Sequence, residues 1–142
     1  KLSSFPELCK HFIFEVKETQ VIEKSTELKP VMEQLSQLGA QWCIERFGEP
    51  DAQLDYLEEL PISMVKVDRR IIHQISNSSR RQLLVKSLLI NLKGLGIQAF
   101  AEGVEDEADA EYLRSLDFYG AQGFYFSQPR RLGGIEKMLK VI

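Results

Sequence analysis

The residues of this chain that could do chemistry are acids, one lysine and one amide. They are Glu15, Glu45, Lys66, Asp68, Glu102, Glu105 and Gln122, with Arg46 directly after Glu45. Each lies within or just after a short apolar, β-prone run. Carboxylates from several strand ends can chelate a divalent cation, and a lysine among them can activate water; together they suit metal-assisted phosphodiester hydrolysis. One stretch stands apart, Trp42-Cys43-Ile44-Glu45-Arg46-Phe47-Gly48-Glu49-Pro50. Its apolar run ends in an adjacent acid and base, and a Gly and a Pro then force a turn.

These groups need elements to position them. A first strand is expected over residues 12–16. Ser25 or Thr26 is placed to cap a helix reaching about Leu38, with Pro30 in its first turn and Val31, Leu35 and Leu38 on one face. Residues 40–47 read as a second strand, residues 54–60 as a short helix stopped by Pro61, and residues 64–68 as a third strand. Ser78 or Ser79 should cap the strongest helix, in which Leu84, Leu88 and Leu92 recur every four residues beside Val85 and Leu89. Residues 98–105 read as a fourth strand, 106–116 as a helix with an acidic start, 120–126 as a fifth strand and 135–142 as a closing helix. Strands alternating with helices imply a parallel sheet whose C-terminal strand ends share one face, and the candidate residues fall within those strands or at those ends.

The 142 residues amount to one domain. A net charge of −3 argues against a nucleic-acid surface built on bulk charge. No apolar run approaches the ~20 residues needed to span a bilayer. Cys9 and Cys43 lack metal-site spacing and are expected to be reduced, buried thiols. His11 and His73 sit in no metal spacing, and the doublets Arg69-Arg70, Arg80-Arg81 and Arg130-Arg131 read as solvated faces.

Several stretches together resemble a known family. Phe14-Glu15-Val16-Lys17-Glu18-Thr19, Val65-Lys66-Val67-Asp68-Arg69, Ala101-Glu102-Gly103-Val104-Glu105 and Ala121-Gln122-Gly123-Phe124, with Ser127-Gln128-Pro129 following, resemble in order and spacing the later motifs of the EAL domain. That family hydrolyses the bacterial second messenger cyclic di-GMP. The resemblance implies an α/β fold, a TIM-like (β/α) barrel of the EAL type. Only its later strands and helices lie in this chain, since a closed barrel needs about eight strands and five are expected here. Residues 1–142 then form the C-terminal part of a single, degenerate EAL domain, with parallel sheet edges that ought to pair. Position by position, the resemblance implies that Glu15 binds metal, that Lys66 orients or deprotonates the attacking water, and that Glu102 is a second acidic ligand or supports one. Glu45 and Asp68 complete the inherited metal set. Glu105 resembles the Glu that holds the loop following the family's paired Asp, and Gln122 a residue lining the substrate and water site.

The family carries two consecutive Asp before Phe-Gly, then a flexible loop containing Thr-Gly; here the same place reads Glu45-Arg46-Phe47-Gly48-Glu49-Pro50. A guanidinium cannot be deprotonated and cannot ligate a metal. At ~4 Å and an effective dielectric of ~20, its charge opposes a divalent ion by roughly 8 kcal/mol. Arg46 is therefore expected either to neutralise Glu15, Glu45 and Glu102 or to contact a phosphate, with Gln122 and Glu105 as further ligand-binding residues. The expected function is a non-catalytic regulatory module of a bacterial signalling protein that binds a partner protein, cyclic di-GMP or both. The alternative is an active metal-dependent cyclic di-GMP phosphodiesterase. No cofactor is expected, with Mg or Mn the ion if the inherited site survives. Homodimerisation is a further expectation and direct nucleic-acid binding is not. The resemblance implies a cytoplasmic domain of an inner-membrane-anchored regulator, of the type that includes CsrD and MshH.

Overall fold

The computed structural model describes residues 9–50 and 54–127. Their central layer is a parallel sheet in sequential order, with strands β1 (Ile13–Lys17), β2 (Gln41–Phe47), β3 (Met64–Val67), β4 (Gln98–Glu102) and β5 (Gly120–Gln122). A parallel connection cannot be a tight turn, so every crossover carries helix. These are α1 (Glu18–Gln37), α2 (Tyr56–Glu59), α3 (Arg69–Ile72), a 3-10 turn (Ile75–Asn77), α4 (Ser79–Gly94) and α5 (Glu107–Arg114). β1 and β5 are the edges, each with one side unpaired among the described residues. The expected closing helix at 135–142, the start of the chain before Cys9, Arg130-Arg131 and the Gln128-Pro129 pair lie outside the described residues.

Side chains alternate across a strand, so register decides which residues share a face. Glu15 pairs with Cys43, Cys43 with Met64, Lys66 with Phe100 and Glu102 with Gln122. Glu15, Glu45, Lys66, Glu102 and Gln122 therefore all stand on one face. The other face carries Trp42, Ile44, Val65, Val67, Ala99 and Ala101, all buried in the core against the helices. Burying side chains such as Ile44 and Val65 contributes roughly 1.5–3 kcal/mol each. The Trp42 indole is oriented by donating from Nε1 to the Met32 carbonyl at 3.2 Å and by the Phe14 ring, 5.0 Å away between centroids.

Several boundaries differ from the sequence expectations. α1 begins at Glu18, directly after β1, and is broken at Lys24 (φ −129°, ψ 22°), so Ser25 opens only its second segment and Pro30 lies well inside. Its buried residues are Glu18, Val21 and Met32, while Val31 faces outward at 51% exposure. In α4, capped by the Ser78 hydroxyl, the buried face is Val85, Leu89 and Leu92, and Leu84 points to solvent. β4 ends at Glu102 because Gly103 turns the chain with φ 74°, leaving Glu105 beyond the strand. Asp68 is likewise outside β3 and serves as the cap of α3. Cys9 and Cys43 are buried and form no disulfide, as expected.

β5 is only three residues long because the chain turns at Gly123, packed against the backbone of Val104. A Cβ there would sit 2.1 Å from the Val104 carbonyl oxygen. That oxygen accepts from Tyr125 N–H at 3.1 Å, and Val104 N–H donates to the Gln122 carbonyl at 3.1 Å. Gly123→Ala should therefore part this segment from β4 and lower the melting temperature. Amide hydrogen exchange at Val104 and Tyr125 should accelerate well before that of β2 and β3; unchanged protection would contradict the packing described.

Candidate functional site

The shared sheet face brings five of the candidate residues into one charge cluster. Lys66 Nζ donates to Glu15 Oε1, and Glu15 in turn hydrogen-bonds Glu45. The Lys66 hydrogen bond holds the Glu15 carboxyl below its ordinary range, against the opposing effect of burial. Glu45 moves the other way, raised first by its hydrogen bond to Glu15 and then by burial and the neighbouring negative charge. The two carboxyls thus favour sharing a proton. Burial pulls Lys66 down, yet the bond to and charge of Glu15 outweigh it, so the ammonium is strengthened. Gln122 Nε2 donates to Glu102 Oε1 at 3.0 Å, and Glu102 acts on the others through its charge. Cys43 lies beneath them, its thiol pushed up to about 11 chiefly by burial.

The Glu45-Arg46 pair proves to be a β-bulge. Ile44 pairs with Val65 and Phe47 with Val67, so two β2 residues stand opposite the single Lys66. The extra residue, Arg46, takes a left-handed conformation with φ 55°. Ile44 and Phe47 can both enter the core for this reason, three residues apart in a strand whose period is two. Arg46 leaves the sheet face and lines a cleft of about 890 Å³ together with Asp68, Arg69, Arg70, Glu102 and Glu105. It makes no ion pair with Glu15, Glu45 or Glu102. The expected neutralising role falls to Lys66 and the Glu15–Glu45 hydrogen bond, while the Arg46 charge is felt by Asp68.

At the cleft rim Asp68 is engaged twice by Arg70, accepting from its backbone N–H at 2.7 Å and from Nε at 2.9 Å. Burial raises the Asp68 carboxyl, but these bonds and the guanidinium charge outweigh it and hold it low. Arg70 Nη2 also reaches Glu49 at 2.9 Å. Arg69 pairs with Glu105 at 2.8 Å, and His73 Nδ1 lies 3.7 Å from the same carboxylate. The Arg69-Arg70 doublet, read from sequence as a solvated face, is therefore part of the cleft. Gln122 and Glu102 line the cleft too, joining it to the charge cluster.

The loop after β2 is held by a residue to which sequence reasoning gave no role. Glu18 is fully buried, and its carboxylate accepts from Gly48 N–H at 2.8 Å, Glu49 N–H at 2.7 Å and Tyr56 Oη at 2.6 Å. Burial first, and then the bond to this carboxylate, raise the Tyr56 phenol. Gly48 is required here, with φ 111° and a Cβ position only 2.2 Å from Ile71 Cδ1. Glu105, expected to hold this loop, pairs with Arg69 instead. No local signal marked Glu18, because the helix it opens was expected to start only at Ser25 or Thr26.

Each of the four acids that the family resemblance puts forward as metal ligands has a protein partner in this structure. Glu15 is taken by Lys66, Glu45 by Glu15, Glu102 by Gln122 and Asp68 by Arg70. Among the described residues no three His, Cys, Asp or Glu side chains converge on one point.

The parallel sheet thus presents Lys66, three acids and Gln122 on one face. The chain belongs to the EAL domain family, which it matches over residues 2–129. It is 34% identical over 119 residues to the bifunctional diguanylate cyclase/cyclic di-GMP phosphodiesterase MucR of Pseudomonas aeruginosa, covering 84% of this chain but only 17% of MucR. The solved PaMucR phosphodiesterase in complex with c-di-GMP superposes with a TM-score of 0.80 at 32% identity, over 89% of this chain and 51% of that one. The manganese/cy-diGMP complex of Klebsiella pneumoniae BlrP1 gives a TM-score of 0.79 at 31% identity, over 85% of this chain and 31% of that one. The fold is thus part of a TIM-like EAL barrel, and no helix among the described residues is long and apolar enough to cross a membrane.

Two measurements probe the cluster and the loop. For Glu45, the raised carboxyl value means that the fold loses stability as pH rises through that value and loses nothing below the ordinary value of 4.5. Glu45→Gln keeps the hydrogen bond to Glu15 without the ionisation. Its melting temperature relative to wild type should therefore increase from about pH 4 to about pH 7; a pH-independent difference contradicts the shared proton. For Glu18, Glu18→Ala orphans three donors at about 1–3 kcal/mol each, so chemical denaturation should show a loss of at least about 3 kcal/mol.

Proposed function

We propose that this segment, as the C-terminal part of a single EAL domain, is a regulatory module that binds cyclic di-GMP without hydrolysing it and signals to a partner protein. The observation that carries the reading is Arg46. It occupies the bulge where a second acid would be needed and brings a permanent positive charge into the cleft, suited to a phosphodiester and unsuited to a metal. The self-paired acids support the same reading, because each inherited ligand already has a protein partner. In this role Lys66 orders the acids as a structural cation, Gln122 and Arg46 contact the ligand, and Glu105 positions Arg69. No metal or other cofactor is required. A partner protein, or a second copy of the chain, would read out occupancy on the cytoplasmic side of a membrane-anchored regulator.

Calorimetry and hydrolysis assays on the intact protein carrying this segment test the proposal. Micromolar binding of cyclic di-GMP is expected, weakened about tenfold by Arg46→Ala or Gln122→Ala, with no linear product formed in Mg or Mn. Metal-supported hydrolysis that survives Arg46→Ala and is abolished by Glu15→Ala would establish the alternative, an active phosphodiesterase.

A further inference from the structure

The cleft rim holds its three arginines unequally. Arg69 faces the Glu105 carboxylate at 2.8 Å, and Arg46 has no ion pair to the acids of the sheet face. Arg70 alone has two acidic partners, Asp68 and Glu49. The two differ in kind. Asp68 is the cap of α3, in the same short segment as Arg70, and binds it through backbone N–H, Nε and a longer 3.4 Å contact to Nη2. That set suffices to hold the guanidinium in place. Glu49 takes only Nη2, from across the cleft, and its side chain is not needed to keep its own loop in position. The backbone N–H groups of Gly48 and Glu49 are fixed independently by the buried Glu18 carboxylate.

We propose that Glu49 is an internal competitor for the anion-binding face of Arg70, so that the cleft is a masked phosphate site that opens when one ion pair breaks. The inference rests on the reading of the cleft as a phosphodiester site. A guanidinium fork presents parallel donors to either a carboxylate or a phosphate, but not to both on the same edge. With Asp68 on the Nε/Nη2 edge, the Nη1/Nη2 edge is the part left for a ligand, and Glu49 meets it at Nη2. A ligand phosphate must displace the Glu49 carboxylate, which then turns to solvent while its backbone stays on Glu18. An exposed pair of this kind is weak, so displacement is easily reached and affinity is tuned rather than abolished.

The test is a double-mutant cycle in the intact protein, read by calorimetry with cyclic di-GMP and by the Arg70 Nε resonance with inorganic pyrophosphate as a second probe. Glu49→Gln should tighten binding about fivefold, Arg70→Gln should weaken it, and the double variant should match Arg70→Gln alone. Both substitutions leave the Glu18 and α3 cap bonds intact, because those use backbone N–H groups. If cyclic di-GMP binds but Glu49→Gln brings no gain, or brings the same gain without Arg70, the competition is refuted while the ligand reading stands. If cyclic di-GMP does not bind, yet pyrophosphate shifts Arg70 more strongly in Glu49→Gln than in wild type, the competition stands and the ligand reading falls. Silence of both probes overturns both.

Discussion

Much of the site geometry depends on the buried carboxylate of Glu18. Carboxyl oxygens removed from water are tolerable only when donors replace their hydration, and Gly48, Glu49 and Tyr56 supply three. Through these bonds the β1–α1 junction fixes the loop after β2 and the start of α2. The position of that loop lets Phe47 turn into the core, sends Arg46 towards the cleft and sets the reach of Glu49. Asp109 does similar work elsewhere. Nearly fully buried in α5, it accepts from Gln74 N–H at 2.7 Å and Ser76 N–H at 2.9 Å, pinning the turn between α3 and α4. Two internal acids thus fasten the loops that sheet pairing cannot reach.

On the sheet face, charge is balanced locally. One lysine stands among three carboxyls, and the excess negative charge is relieved by a carboxyl–carboxylate hydrogen bond rather than by Arg46. The rim follows a different rule, with each acid facing a guanidinium. The two regions meet at Glu102 and Gln122, which hydrogen-bond each other and line the cleft.

How much of this was legible in the sequence varied with the range of the interactions. Strand positions and the grouping of Glu15, Glu45, Lys66, Glu102 and Gln122 follow from alternation and from parallel topology, both local rules. The cap at Ser78 and the acidic start of α5 were readable for the same reason. Glu18 was silent because its partners lie 30, 31 and 38 residues away, and because the helix it opens was expected to begin only at Ser25 or Thr26. The bulge was hidden because it is a property of register against β3 and leaves no mark in β2 alone. Arg70 looked like a surface charge because its second acid arrives from the loop after β2. In α4 the expected Val85, Leu89 and Leu92 are buried and only the expected Leu84 turns to solvent, whereas in α1 Met32 takes the buried place expected for Val31.

The left-handed backbone at Arg46 bears on which side chains the bulge accepts. For L-residues that conformation costs about 1–2 kcal/mol, and the short acceptors Asp and Asn tolerate it best. The bulge thus holds Arg46 in a backbone shape that a short acceptor side chain would adopt at lower cost. Register against β3, and not the preference of the residue itself, keeps the backbone in that shape, so Arg46→Asp would relieve the position while leaving Ile44 and Phe47 in the core.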